Sequence, residues 1–454
     1  MKQKNGIKGL LILVFCLLAA ALILSFMAYR TFRQRQDADS SYFDSTASST
    51  PDSTGAESSA SSLTSVPAAD SDHSDQSTQK PGEGSTSSNL SQSSDSSSSS
   101  DLSEPESSPE SSGADDDAIT AQAQKILDQM TLEEKVGQMF YGRFPGPGQA
   151  EEDAAQYHLG GFVLFGVDFE GYSKEEVISH IDACQAVSSI PMLMGVDEEG
   201  GTVTRVSDYF RDTPFLSPRD EYAQGGWDLV GSETKERADL LQELHLNMNL
   251  APVCDMADDP DDFMYDRSFG GDVDLVSTFV SRSVRLYNQN QMGCCLKHFP
   301  GYGSNLDTHT GMSVDTRDKE TFLSHELIPF QEGIDAGAPA VMVCHNIINC
   351  FDDVNPASLS PAVHQLLRDQ MGYQGVIITD DLAMGAITDF CGEVNSAVKA
   401  IDAGNDLLIS TEYADQYAAV MEAVGQGQIS EDRIDQSVLR ILKMKIRLGL
   451  IPQE

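Results

Sequence analysis

Gly293-Cys294-Cys295-Leu296-Lys297-His298-Phe299-Pro300-Gly301-Tyr302-Gly303 runs from small and apolar residues into a Lys-His pair, then breaks at Pro300 and two glycines. No polar residue alternates with the apolar ones, so the strand it predicts, Gly293–His298, is covered on both faces. Strands of that kind belong to parallel sheets sandwiched by helices. Seven other runs have the same character: Val136–Gly142, Gly161–Gly166, Pro191–Asp197, Asn249–Met256, Ala340–His345, Gly375–Asp380 and Asp406–Ser410. Helical patterns separate them. Eight such strand–helix units predict an α/β fold, a (β/α)8 TIM-like barrel.

Helix boundaries agree. Thr131-Leu132-Glu133-Glu134 and Ser173-Lys174-Glu175-Glu176 have capping-box form. A last helix starts near Ser430, lines up Ile434, Val438, Ile441 and Leu442 on one face, and stops near Gly449. In a barrel of this type chemistry sits at the C-terminal strand ends. The polar residues closing the runs are Asp197, Asp255, Lys297-His298, His345 and Asp380. One or two could be caps or rim ion pairs, but together they mark one mouth as a site.

The barrel is expected over residues 118–454, after two segments of different composition. Leu10–Met27 is almost unbroken apolar sequence, long enough to cross a bilayer core. Lysines precede it and arginines follow, so charge does not orient it. Phe26, Met27 and Tyr29 crowd its exit and leave no small-x-small cleavage site, so residues 1–36 are read as an uncleaved single-pass anchor, a signal peptide being the alternative. Residues 37–117 are Ser-, Asp- and Glu-rich with almost no aliphatic or aromatic content. Such a stretch buries too little surface to offset its chain entropy and reads as a disordered tether, reaching on the order of 50 Å. An anchor and a stalk imply an extracytoplasmic domain at the cell membrane.

The chain carries 71 acidic against 29 basic side chains, a net charge of −42, which argues against nucleic acid as a partner. The barrel region has seven cysteines, an odd number with no Cys-x-x-Cys spacing. They read as buried thiols rather than a disulfide framework or a metal site. No cofactor is expected.

The residue types at the mouth suit acid–base and nucleophilic work on a polar substrate. Asp380 is held at a strand tip and can act as a nucleophile, while its neighbour Asp381 fits a helix cap. Beyond the glycine turn, Asp307-Thr308-His309 pairs a carboxylate with an imidazole that can give or take a proton near neutral pH. Asp197 can accept from ligand hydroxyls; Arg205 and Arg267 can donate.

These pieces resemble glycoside hydrolase family 3, in particular its single-barrel bacterial β-N-acetylglucosaminidases. The resemblance rests on Ile126-Leu127 through Met130-Thr131-Leu132-Glu133-Glu134-Lys135-Val136-Gly137-Gln138-Met139, Val196-Asp197-x-Glu199-Gly200-Gly201 with Arg205, Ala251-Pro252-Val253, and Asp266-Arg267-Ser268-Phe269-Gly270. It continues in Lys297-His298-Phe299-Pro300-Gly301, Asp307-Thr308-His309 and Thr379-Asp380-x-Leu382-x-Met384. It implies that Asp380 is the nucleophile of a retaining mechanism and His309 the general acid/base, in a dyad with Asp307. It further implies that Asp197, Arg205, Arg267, Lys297 and His298 bind the terminal N-acetylglucosamine of a β-linked saccharide. Family 3 β-glucosidases generally take their acid/base from a second domain; here one helix follows the eighth strand, so the barrel itself is expected to supply it. Two departures stand out. Tyr302 occupies a position where the family usually has His, and the spacer from Gly303 to Asp307 is one residue shorter than usual. Phosphorolysis, β-glucosidase activity, or saccharide binding without turnover are the alternatives.

Overall fold

The computed structural model of the protein describes residues 109–454, apart from 306, 310 and 392. The expected anchor and most of the expected linker lie outside the described residues. Among those described, no helix is long and apolar enough to cross a membrane.

The barrel strands are β1 (Phe140–Arg143), β2 (Gly161–Leu164), β3 (Leu193–Val196), β4 (Met248–Asn249), β5 (Gly293–Phe299), β6 (Ala340–Val343), β7 (Val376–Thr379) and β8 (Leu408–Ser410). All pair in parallel, in the order β8-β1-β2-β3-β4-β5-β6-β7. The seam between β7 and β8 is thin: one bridge, Ile378 to Leu407, joins them. The backbone of Leu407 donates to Ile377 (3.1 Å) and accepts from Thr379 (3.1 Å). This nearly closed eight-stranded α/β barrel is the TIM-like architecture expected. Its strand residues are almost all buried, as the unbroken apolar runs require.

Two expected strands change. Val136–Gly142 is divided between helix and strand: Thr131 caps Leu132–Gln138 with the full capping box, Val136 turns inward, and β1 begins only at Phe140. Asn249–Met256 shrinks to the pair Met248–Asn249, followed by a lone bridge between Val253 and Lys297. Pro252 has no N–H to give to a ladder, so the pairing past Asn249 is irregular, although the Ala251 and Pro252 carbonyls and the Cys254 N–H still bond to β5.

Inside the barrel, space is shared between large and small residues. Gly195 faces the buried Tyr141, where an added Cβ would stand 1.7 Å from the phenol oxygen. The closing helix Glu431–Arg447, capped by Ser430, buries Ile434, Val438, Ile441 and Leu442. It also buries Lys445, whose ammonium donates to Gln138 Oε1 (2.7 Å) and to the Gly160 carbonyl (2.9 Å). Below the seam, the buried carboxylate of Asp406 takes Arg368, Arg440 (3.1 Å), Ser437 Oγ (2.7 Å) and the Ile377 N–H (3.0 Å). The helix Pro109–Leu127 uses residues read as the end of the linker, and its Asp116 pairs with Lys443 (3.4 Å) and Arg447 of the closing helix. The seven cysteines among the described residues are free.

Candidate active site

The site is built from the C-terminal ends of β3, β5 and β7 and the loops after β3, β4 and β5. The tip of β5 carries Lys297, whose side chain is 2 % exposed. An ammonium there needs charged partners, and it has two: Asp197 Oδ1 at 2.5 Å and Glu199 Oε1 at 2.6 Å. Burial alone would lower the Lys297 pKa; the two carboxylates outweigh it and raise it. Glu199 also grips Arg267 with both oxygens, Nε to Oε2 at 3.0 Å and an Nη to Oε1 at 2.7 Å. Against its burial, the charges of Arg267 and Lys297 hold Glu199 far below the usual carboxylate range.

Arg267 reaches on to His298, 3.2 Å from Nε2. An arginine only donates, so Nε2 accepts and the ring proton sits on Nδ1. That proton goes to Asp255 Oδ2 at 2.7 Å, and the same oxygen takes the His298 backbone N–H at 2.9 Å. Asp197, Glu199, Lys297, Arg267, His298 and Asp255 therefore form one continuous polar floor.

Arg205 stands on another side of the mouth, its guanidinium 6.0 Å from the Phe165 ring. It is placed by Glu198, a fully buried carboxylate. Glu198 Oε2 accepts the backbone N–H of Arg205 (2.8 Å) and Val206 (2.7 Å), and Oε1 takes Ser207 Oγ (2.5 Å). The side chain of Asn249 holds Glu198 in turn, accepting its N–H and donating to its carbonyl, each at 3.0 Å.

Asp380 follows β7, with its Oδ1 taking the Asp381 N–H at 2.8 Å. Burial would raise its pKa, yet the surrounding imidazoles of His345, His298 and His309 bring it below the usual aspartate value. His345 is wholly buried, and that burial lowers its pKa; Nε2 donates to the Asp381 carbonyl (3.0 Å) and Nδ1 accepts from Ser358 Oγ (2.7 Å). It braces the turn that presents Asp380.

The dyad forms as expected. His309 Nδ1 meets Asp307 Oδ1 at 2.6 Å, and that oxygen also takes the His309 backbone N–H at 2.9 Å. Burial pulls the imidazole pKa down, but the Asp307 hydrogen bond and the charges of Asp380 and Asp307 win, and it is raised. The loop carrying the dyad is seated on the turn after Asp380. The Ala386 N–H donates to the Thr308 carbonyl (3.3 Å), and an added Cβ on Gly385 would come within 3.0 Å of the His309 carbonyl oxygen. All eight residues singled out in the sequence therefore lie at one end of the barrel, with His309 and Asp380 in each other's electrostatic field.

Four contributors receive no role in the sequence reading: Glu199, Glu198, Asp255 and His345. Asp255 and His345 carry a signal, since both close strand-like runs. Glu198 and Glu199 are adjacent acids, and nothing in the sequence says that one faces the ligand side and the other the protein.

The sequence profile of the "Glycosyl hydrolase family 3 N terminal domain" matches residues 131–444. The chain belongs to glycosyl hydrolase family 3. It is 33% identical over 268 residues to the beta-hexosaminidase of Xanthomonas campestris pv. campestris (strain B100), covering 57% of this chain and 79% of that one. It is 27% identical over 341 residues to Beta-hexosaminidase A of Pseudoalteromonas piscicida, covering 66% of this chain and 56% of that protein. A solved structure of a family 3 beta-N-acetylglucosaminidase from Paenibacillus sp. str. FPU-7 superposes with a TM-score of 0.67 at 32% identity, covering 72% of this chain and 64% of that one. The chain thus spans little more than half the length of the Pseudoalteromonas relative.

Proposed function

We propose that the protein is a retaining exo-β-N-acetylglucosaminidase that removes terminal β-linked N-acetylglucosamine from cell-wall or related glycans. The observation that carries this reading is the opposed tuning of Asp380 and His309. One is held ionised, the other is biased toward imidazolium, and each acts on the other's charge. Pairs of titratable groups pushed apart in this way divide acid from nucleophile roles.

In the first step a carboxylate oxygen of Asp380 attacks the anomeric carbon. The electrons of the C1–O bond pass to the leaving oxygen, which takes the Nε2 proton of His309. Asp307 steadies the imidazolium beforehand and sets its tautomer. In the second step neutral His309 removes a proton from water, the water oxygen attacks C1, and Asp380 departs as carboxylate. Configuration is retained after two inversions. Asp197, Lys297, Arg267 and His298 receive the hydroxyls of the bound sugar, and Arg205 closes on it from the other side. The similarity to named beta-hexosaminidases supports the N-acetylglucosamine preference. The Leu10–Met27 run supports a membrane-anchored, extracytoplasmic placement, checked by fractionating cells that express the chain with and without residues 1–36.

The test is kinetic, on aryl N-acetylglucosaminides of graded leaving-group acidity. Asp380→Asn abolishes turnover. His309→Ala lowers kcat/KM far more for poor leaving groups than for activated ones. Equal losses on both would remove His309 from the acid/base role. The same series run with phosphate, and with glucosides, separates hydrolysis from phosphorolysis and from β-glucosidase activity; saccharide binding without turnover would mark an inactive homologue.

A further inference from the structure

Tyr302 is buried, 3 % exposed, and its hydroxyl meets one residue twice. The phenol donates to Thr308 Oγ1 at 3.0 Å and accepts the Thr308 backbone N–H at 2.8 Å. Thr308 is the residue between the two members of the dyad, and it is 1 % exposed. On its other side its carbonyl is held by the Ala386 N–H. The tyrosine is anchored in its turn: its backbone N–H donates to Asp255 Oδ1 at 2.6 Å, while Asp255 Oδ2 holds His298. Its ring stands edge-on to His298 (5.8 Å between centroids) and tilts against Phe263 (5.5 Å). An unbroken set of short contacts therefore runs from the polar floor, through Asp255 and Tyr302, to the middle of Asp307-Thr308-His309.

We propose that Tyr302 is the positioning residue of the acid/base loop, its phenol clamping Thr308 so that the His309 imidazole is aimed at the departing oxygen above Asp380. This rests on the acid/base reading of His309. Both departures from the family pattern, the tyrosine and the shortened spacer, meet in this one contact. The hydroxyl stays protonated through the working pH range because burial pushes its pKa well up, so the clamp itself does not titrate there. Two hydrogen bonds to the middle of the loop fix an angle rather than a fold, and proton transfer is sensitive to misplacement by an ångström or less.

The experiment compares Tyr302→Phe, Thr308→Val, His309→Ala and the Tyr302→Phe/His309→Ala double variant on the graded leaving-group series. Tyr302→Phe keeps the ring packing and removes only the clamp. It is expected to lower kcat/KM by about 10- to 100-fold on poor leaving groups and by less than about threefold on the most activated. KM changes little and the basic limb of the pH profile moves to lower pH. Thr308→Val, which keeps the N–H contact, gives a smaller loss with the same leaving-group slope. In the His309→Ala background the phenylalanine adds no further loss, because the phenol acts through that imidazole. A loss equal across all leaving groups, a loss of the same size in the His309→Ala background, or no loss would overturn the inference. A leaving-group split in His309→Ala without one in Tyr302→Phe overturns the clamp alone. No split in His309→Ala overturns the acid/base reading and the clamp with it.

Discussion

Glu198 offers a test of how the barrel positions Arg205, whose backbone N–H its carboxylate accepts. Its carboxylate accepts three close hydrogen bonds, from the Arg205 and Val206 backbone (2.8 and 2.7 Å) and from Ser207 Oγ (2.5 Å), in a setting with no solvent exposure. In Glu198→Gln the amide oxygen can still face the two backbone donors, and Ser207 can turn its hydroxyl to accept from the new NH2. What is lost is the charge assistance, roughly 1 kcal/mol for each of three bonds, so about 3 kcal/mol in all. In Glu198→Ala three buried donors lose their acceptor, at about 1–3 kcal/mol each, so a loss on the order of 5 kcal/mol is expected. Urea unfolding measures both. Because the same bonds seat Arg205, Glu198→Gln should raise KM several-fold while leaving the chemical step largely in place, the signature of lost uniform binding. A glutamine variant with unchanged unfolding midpoint and unchanged KM would refute the reasoning. A drop in kcat with KM constant would also refute it, by making Glu198 part of the chemistry.

Three further outcomes follow from the structure. The kcat/KM profile should be bell-shaped, falling as pH drops through the lowered pKa of Asp380, below 3.8, and as pH rises through the raised pKa of His309, above 6.5; steady-state rates across pH locate both limbs. Gly195→Ala should destabilise the barrel by several kcal/mol and Gly195→Ala/Tyr141→Phe by less, because the added methyl collides with the Tyr141 phenol oxygen; unfolding midpoints of the single and double variants decide it. Burial brings Lys445 down to about 7, below an ordinary lysine, so the folded state prefers it neutral. Its contribution is present above the ordinary lysine pKa and lost as pH falls through about 7, so between pH 7 and 9 the wild type should gain on Lys445→Met by on the order of 2 kcal/mol.

The fold was legible because a parallel sheet covered on both faces writes itself as unbroken apolar runs. The runs ending in Lys297-His298 and Asp380 became β5 and β7 nearly as read. Where two local preferences compete, the pattern fails. Val136 belongs to a helix because Thr131 and Glu134 close a capping box ahead of it, a preference that apolar character alone does not reveal. The fourth strand is regular only over Met248–Asn249; beyond it the chain keeps bonding to β5 through Ala251, Pro252 and Cys254, but Pro252 has no N–H to complete a regular ladder. At the site, residue types and strand-end positions brought the candidate side chains into view. The supporting roles stayed hidden because they are defined by partners far away in the chain: Glu199 by Arg267 and Lys297, Asp255 by His298 and Tyr302, His345 by Ser358 and the Asp381 carbonyl. Adjacent letters such as Glu198 and Glu199 look alike until the loop's direction is known.

The thin seam has a mechanical consequence. Between β7 and β8 the ladder supplies one bridge, and the cylinder is riveted there also from beneath, by Asp406 with Arg368, Arg440 and the Ile377 N–H of β7. Removing one partner of a buried ion pair leaves the other charge uncompensated, a cost that a backbone ladder does not carry. The wall that presents Asp380 is thus the one whose closure is tied to charge.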